Sequence, residues 1–145
     1  MARWCLIALL PLLLLACDLP RDSEGTTQAV RGNLLKVGVL ADPLDTTDRT
    51  AAEQVAAVLQ ARIEYHRGDP HHLVEQLRQG EIQLLLGDIS VDTVFKKHAG
   101  TTNPIGHVTL GSDRIERVML IRKGENRFLL EINRAIRDLT KKAQL

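Results

Sequence analysis

Asp69-Pro70-His71-His72-Leu73-Val74-Glu75-Gln76-Leu77-Arg78-Gln79-Gly80-Glu81-Ile82-Gln83-Leu84-Leu85-Leu86-Gly87 reads as a capped helix that runs straight into a strand. Asp69 is a side-chain acceptor placed to cap the first amides, and Pro70 suits the first helical position, where no amide partner is needed. Leu73, Val74 and Leu77 recur at helical spacing, and Gly80 supplies a left-handed stop. Glu81 to Leu86 then turns apolar and ends at Gly87, which predicts a further strand.

The preceding segments repeat the pattern. Leu34-Leu35-Lys36-Val37-Gly38-Val39-Leu40 is a β-rich apolar run that ends in the turn cluster Ala41-Asp42-Pro43. Thr50-Ala51-Ala52-Glu53 has the form of a capping box. Ala51, Val55, Val58, Leu59 and Arg62 follow it at helical spacing, and Ile63 and Tyr65 alternate with Glu64 and His66 as in a second strand. Strand, helix, strand, helix, strand with short connections predicts an α/β fold: a mainly parallel β-sheet flanked by helices, in a single lobe. After Gly87, Ser90 or Asp92 is placed to cap a short helix over Thr93–His98, and Gly100–Gly106 reads as a loop. Ile115–Ile121 reads as one more strand, and Phe128, Ile132, Ala135, Ile136 and Leu139 form the apolar face of a C-terminal helix. Lys141 and Lys142 suit the negative end of its dipole.

The N-terminus has a different chemistry. Arg3 precedes an apolar run from Trp4 to Ala16 that is shorter than the roughly 20 residues a membrane span requires. The layout is that of a secretory signal. Leu14-Leu15-Ala16-Cys17 resembles the bacterial lipobox, which implies cleavage before Cys17 and acylation of that cysteine. Asp18 resembles the signal that retains lipoproteins in the inner membrane, facing the periplasm. The expected organisation is therefore a signal peptide over 1–16, a lipid anchor and flexible linker over 17–33, and an α/β domain over 34–145. With Cys5 removed and Cys17 acylated, no disulfide forms, and packing alone must hold the fold. The mature aromatics are Tyr65, Phe95 and Phe128, so the core is aliphatic.

Basic and acidic residues nearly cancel over the whole chain, 19 against 18, which gives no electrostatic footprint for nucleic acid. The segment 114–142 is locally basic and suits either a solvated helix face or an anionic partner.

The ordered set of segments resembles the type II periplasmic substrate-binding proteins, solute-binding protein family 3. The resemblance rests on the opening strand Leu35–Val39, the Arg62-Ile63-Glu64-Tyr65 strand, and the Leu73–Leu84 helix with its Gly80-Glu81-Ile82-Gln83-Leu84 ending. Two closing segments complete it: Arg117-Val118-Met119-Leu120-Ile121-Arg122-Lys123-Gly124, which resembles the family's return strand and turn, and Leu129–Ile136, which resembles its final helix. The resemblance implies a lobe that binds amino acids or similar small solutes for an ABC transporter. Members usually close two lobes on their ligand, and here the stretch between Gly87 and Ile115 is too short for a second lobe. The family's carboxylate-binding arginine falls near Val94, which has no such chemistry.

The ligand-binding candidates sit in the loops expected at the C-terminal ends of the parallel strands. Asp42, Asp45 and Asp48 follow the first strand. Asp88, Ser90, Asp92 and Thr93 follow the third. Such an acidic rim suits an amine or a cation. His66, His71 and His72 lie close in sequence without a tight metal spacing, so no metal or other cofactor is expected. Arg67-Gly68-Asp69 is accounted for by a turn and a helix cap. No nucleophile elbow, phosphate loop or metalloprotease helix is present, so the expected function is not enzymatic. The leading expectation is an accessory or sensing module of an inner-membrane transporter, antiporter or sensor. A minimal solute-binding component, with a homodimer in place of the missing lobe, is the alternative.

Overall fold

The computed structural model describes residues 19–144. The expected signal peptide over 1–16 and the lipidation candidate Cys17 lie outside the described residues.

The chain order is α1 (Thr26–Val30), β1 (Leu34–Val39), α2 (Thr46–Leu59), β2 (Arg62–Arg67), α3 (Pro70–Gln79), β3 (Leu84–Leu86), a 3-10 turn at Val94–Lys97, β4 (Gly100–Thr101), β5 (Gly106–Leu110), β6 (Asp113–Arg117), β7 (Leu120–Ile121) and α4 (Asn126–Ala143). The main sheet has five strands in the order β2-β1-β3-β7-β4. β1 runs parallel to β2 and β3, with Val37 opposite Tyr65 on one side and Leu84 on the other. β7 is antiparallel to both β3 and β4. The expected mainly parallel sheet flanked by helices is therefore present.

β3 shows why a wholly apolar strand is needed. Leu84 and Leu86 enter one core with α1, α2 and α4, while Leu85 enters the other with α3. The first core holds Leu35, Val37, Leu59, Met119, Phe128 and Ile132, and the second holds Leu73, Leu77, Ile82 and Leu120. Full burial of each such side chain contributes about 1.5–3 kcal/mol relative to exposure.

Several boundaries differ from expectation. α2 starts at Thr46, one turn before the Thr50 capping box, because the Asp45 side chain accepts from the Thr47 amide at 2.8 Å. β3 begins only at Leu84, since the Glu81 amide still closes the end of α3 on Gln76 O at 2.9 Å. The Thr93–His98 helix is a 3-10 turn, capped by Thr93 itself rather than by Ser90 or Asp92. Part of the Gly100–Gly106 loop is β4.

The single strand expected over Ile115–Ile121 is two strands in two sheets. β6 pairs with β5 in a separate hairpin, with Leu110 opposite Asp113, and the chain then crosses into the main sheet as β7. Met119 N–H donates to Thr102 Oγ1 at 3.0 Å at that crossing. The hairpin turn places Gly111 at φ 64, the glycine position that two-residue hairpin turns favour.

The 17–33 stretch is not a flexible linker where it is described. Asp22 accepts from the Thr27 and Phe128 amides, each at 2.8 Å, so one carboxylate caps both α1 and α4. Glu125, 1% exposed, accepts from the Glu24 and Thr26 amides at 2.9 and 3.0 Å. Val30 then enters the core. Composition concealed this docking because it depends on polar partners about 100 residues away in sequence.

Candidate functional site

At the C-terminal edge of β1 and β3 a guanidinium lies among three carboxylates. Arg117, the last residue of β6, places Nη1 2.6 Å from Asp45 Oδ1 and 3.1 Å from Asp48 Oδ2, and Nη2 2.7 Å from Asp88 Oδ1. Local structure sets each member. Asp45 is the N-cap of α2, and Asp48 is in its first turn on the inner face. Asp88 follows Gly87 at φ 55, a left-handed conformation that asparagine and aspartate tolerate better than most residues. Gly87 itself sits at φ 119, and an added Cβ would lie 2.6 Å from Ala41 N. Only glycine lets β3 pass that close to the chain leaving β1. Arg117 is fixed through its backbone by a bridge to Ser90 and by the Ile105 amide, which donates to its carbonyl at 2.8 Å.

Burial grades the site. Asp48 is fully buried, Arg117 is nearly so, and Asp45 and Asp88 face solvent in part. The Asp88 amide donates to Asp48 Oδ2 at 3.1 Å. Asp48 Oδ1 and Arg117 Nε are buried and have no hydrogen-bond partner among the described residues. Burial pushes the Asp48 carboxyl above its ordinary range, against the opposing pull of the Asp88 amide and Arg117. Asp45 is held below its ordinary range, chiefly by the Thr47 amide, with Arg117 adding to the effect.

Of the six ligand-binding candidates, the structure brings Asp45 and Asp88 together. The other four have local roles. Asp42 is exposed and 3.7 Å from Arg67 Nη2. Ser90 Oγ accepts from the Asp92 amide at 3.1 Å, Asp92 pairs with Lys96 at 3.6 Å, and Thr93 caps the 3-10 turn. Val94 is 73% exposed. The guanidinium at this edge comes instead from Arg117, which the sequence reading did not single out as a site residue. Its one signal was a charged residue opening the fully buried run Val118–Ile121. The three histidines do not converge either: His66 pairs with Glu64 at 2.7 Å, and the His71 ring stands edge-on to Phe95. Among the described residues no group of three or more histidine, cysteine or acidic side chains is placed to hold a metal.

No family model and no curated protein matches this sequence. Solved structures match it in shape. The arginine-bound form of domain 1 from TmArgBP superposes with a TM-score of 0.62 at 21% identity, covering 72% of this chain and 92% of that one. An ancestral cationic amino acid solute-binding protein gives 0.68 at 11% identity, over 83% of this chain and 94% of the other. A Salmonella typhimurium periplasmic binding protein with high arginine specificity gives 0.62 at 11%, over 75% and 94%.

The fold is that seen in one lobe of the type II periplasmic binding proteins.

In this lobe the acidic cluster lies at the strand edge where open α/β sheets take their ligands. The positive charge within it is the chain's own Arg117.

Proposed function

We propose that the chain is a non-enzymatic, lipid-anchored recognition lobe that docks on an inner-membrane transporter, antiporter or sensor from the periplasmic side and does not close on a solute. The observation that carries this reading is Arg117. Its two terminal nitrogens already meet three carboxylates at the ligand edge of the sheet. A free cation or amine would have to displace a buried, covalently attached guanidinium that competes at very high effective concentration. The β5–β6 hairpin, whose base is stitched to the loop after β3 by the Ser90–Arg117 bridge, reinforces this seal. The anchor rests on the signal-like run before Cys17 and on the resemblance of Leu14–Cys17 to a lipobox.

A second reading has its own support. Domain 1 of TmArgBP was solved alone with arginine bound, so a single lobe of this fold can hold an amino acid. On that reading the chain is a minimal solute-binding component that delivers an amino acid or amine to an ABC transporter, and a second copy supplies the opposite face.

Thermal unfolding of the detergent-solubilised full chain against amino acids, amines and metal ions separates the two. A ligand at 100 times its Kd adds about 2.7 kcal/mol of stability. The docking reading expects no saturable shift, together with crosslinks to one integral membrane protein in intact cells. A saturable shift with an amino acid or amine overturns it in favour of solute binding.

A further inference from the structure

The opposite edge of the sheet carries the reverse charge. Arg78 at the end of α3, Lys97 and His98 at the end of the 3-10 turn, and Arg122 and Lys123 after β7 together line one open depression of about 280 Å³. β7 is antiparallel to β3, with Ile121 opposite Leu84. Its end therefore lies at the N-terminal edge of the parallel strands, across the sheet from Asp45, Asp48 and Asp88. Arg78, Lys97, His98 and Lys123 are exposed and Arg122 is half-buried. Arg78 Nη1 pairs with Glu75 Oε2 at 2.5 Å and Arg122 meets Glu24 at 3.9 Å, while Lys123 Nζ donates to a backbone carbonyl, Lys97 O, so Lys97 and Lys123 carry the charge that no carboxylate pairs among the described residues.

The N-terminal segment leads to the same edge. Ser23 N–H donates to Gly124 O, and Leu19, Arg21 and Ser23 line a depression shared with Gly124 and Asn126, next to Lys123. Leu19 is itself 73% exposed. Cys17 is two residues earlier in the sequence.

We propose that this basic edge is a membrane-docking face, built to rest on anionic phospholipid headgroups and to hold the lobe with its acidic edge pointing away from the bilayer. The proposal rests on Cys17 being the lipid anchor. Two observations select lipid as the occupant: the basic depression opens beside the point where the chain arrives from Cys17, and headgroup phosphates complement clustered Lys and Arg near a membrane surface. An exposed leucine between anchor and depression fits the interfacial zone.

The test uses the full chain reconstituted in vesicles of phosphatidylcholine alone or with 30 mole per cent phosphatidylglycerol. Amine-reactive footprinting by mass spectrometry is the readout. Lys97 and Lys123 should label several-fold more slowly in the anionic vesicles, and the protection should vanish at 0.5 M salt. Lys141 and Lys142, at the far end of α4 and about 25 Å away by helical rise, should label equally in both. The double substitution Arg78→Ser and Arg122→Ser should return Lys97 and Lys123 to their labelling rates in phosphatidylcholine. Circular dichroism checks that this variant remains folded, and the single Arg78→Ser, at an exposed position, gives a partial effect if the double variant does not. The mass of the N-terminal peptide reports acylation separately. Equal labelling in an acylated chain overturns the docking face and leaves the anchor standing. An unmodified Cys17 overturns the anchor, and the docking proposal with it.

Discussion

Arg117 Nη2 lies 2.7 Å from Asp88 Oδ1, and that contact ties the last residue of the β5–β6 hairpin to the loop after β3. With Asp45 and Asp48 on Nη1, it places one positive charge among three acidic groups, one of them fully buried and two open to solvent. The imbalance governs how the site responds to substitution.

Removing the cation should be costly. Arg117→Met leaves Asp48 buried without its counter-charge, and breaking a buried pair from one side costs about 3–5 kcal/mol. Chemical unfolding at pH 7 measures this. The smaller Arg117→Ala leaves a guanidinium-shaped vacancy, so methylguanidinium should raise the melting temperature of that variant saturably and leave the parent unchanged. If variant and parent respond alike, Arg117 is not an internal ligand.

Asp48 should behave in the opposite way. Asp48→Asn keeps an oxygen to accept from Arg117 and the Asp88 amide, removes a buried charge and relieves repulsion from Asp45 and Asp88. We expect the variant to lie within about 1 kcal/mol of the parent at pH 7, or above it. Asp48→Ala leaves the Asp88 amide without its acceptor, while Arg117 keeps Asp45 and Asp88, and should cost about 1–3 kcal/mol. The pH dependence follows from the direction of each shift. The folded state raises the Asp48 carboxyl above the ordinary aspartate value of 3.8, so the folded chain binds that proton more tightly. This group's contribution therefore falls as pH rises from 3.8 through the raised value. Asp45 is lowered, so its contribution is complete above 3.8 and lost as pH falls through its folded value. In Asp48→Asn the loss of stability above 3.8 should flatten, and the acid-side loss should persist.

Gly87→Ala tests the close approach of β3 to the chain leaving β1. At φ 119, with Ala41 N 2.6 Å from the new Cβ, the substitution has no relaxed conformation. Backbone strain alone costs about 1–3 kcal/mol. The expected result is a lower melting temperature together with faster hydrogen exchange over residues 40–48 and 86–90.

The docked N-terminal segment should be separable from the core. Glu125→Ala removes the acceptor for the Glu24 and Thr26 amides. Hydrogen exchange over residues 22–30 should accelerate at least tenfold, with β1 and β3 unchanged. Asp22→Ala should do the same and also lower global stability by about 1–2 kcal/mol, because the carboxylate caps α4 as well.

How far these features could be read in advance depended on their range in sequence. The α3–β3 unit was legible because its signals are local: Asp69 caps the amides of His71 and His72, and Gly80 ends the helix at φ 81. Asp45 and Asp88 were legible because parallel strands put the loops that follow them on one edge. Arg117 was not, since it meets Asp48 across 69 residues of chain and its own neighbours say only that a strand begins. The docking of residues 22–30 was hidden for the same reason. Four polar side chains were expected at the ligand edge and serve local structure: Asp42 pairs with Arg67, Ser90 and Thr93 accept from nearby amides, and Asp92 pairs with Lys96. Composition cannot distinguish an aspartate that caps a turn from one that faces a ligand.

The Gly111-Ser112 turn closes β5 onto β6 with only two residues between paired positions. Chain closure becomes more costly with the logarithm of loop length. Replacing those two residues with a domain of on the order of 100 residues would make the closure about 3.5 kcal/mol less favourable. A short turn therefore keeps the closure of the hairpin local, while its stability rests on the loop after β3, to which Glu116 and Arg117 are joined. Arg117 is the last residue of that hairpin. The guanidinium that fills the acidic edge is thus carried at the end of a hairpin whose pairing is set by a two-residue turn, so the edge is occupied by a locally specified element.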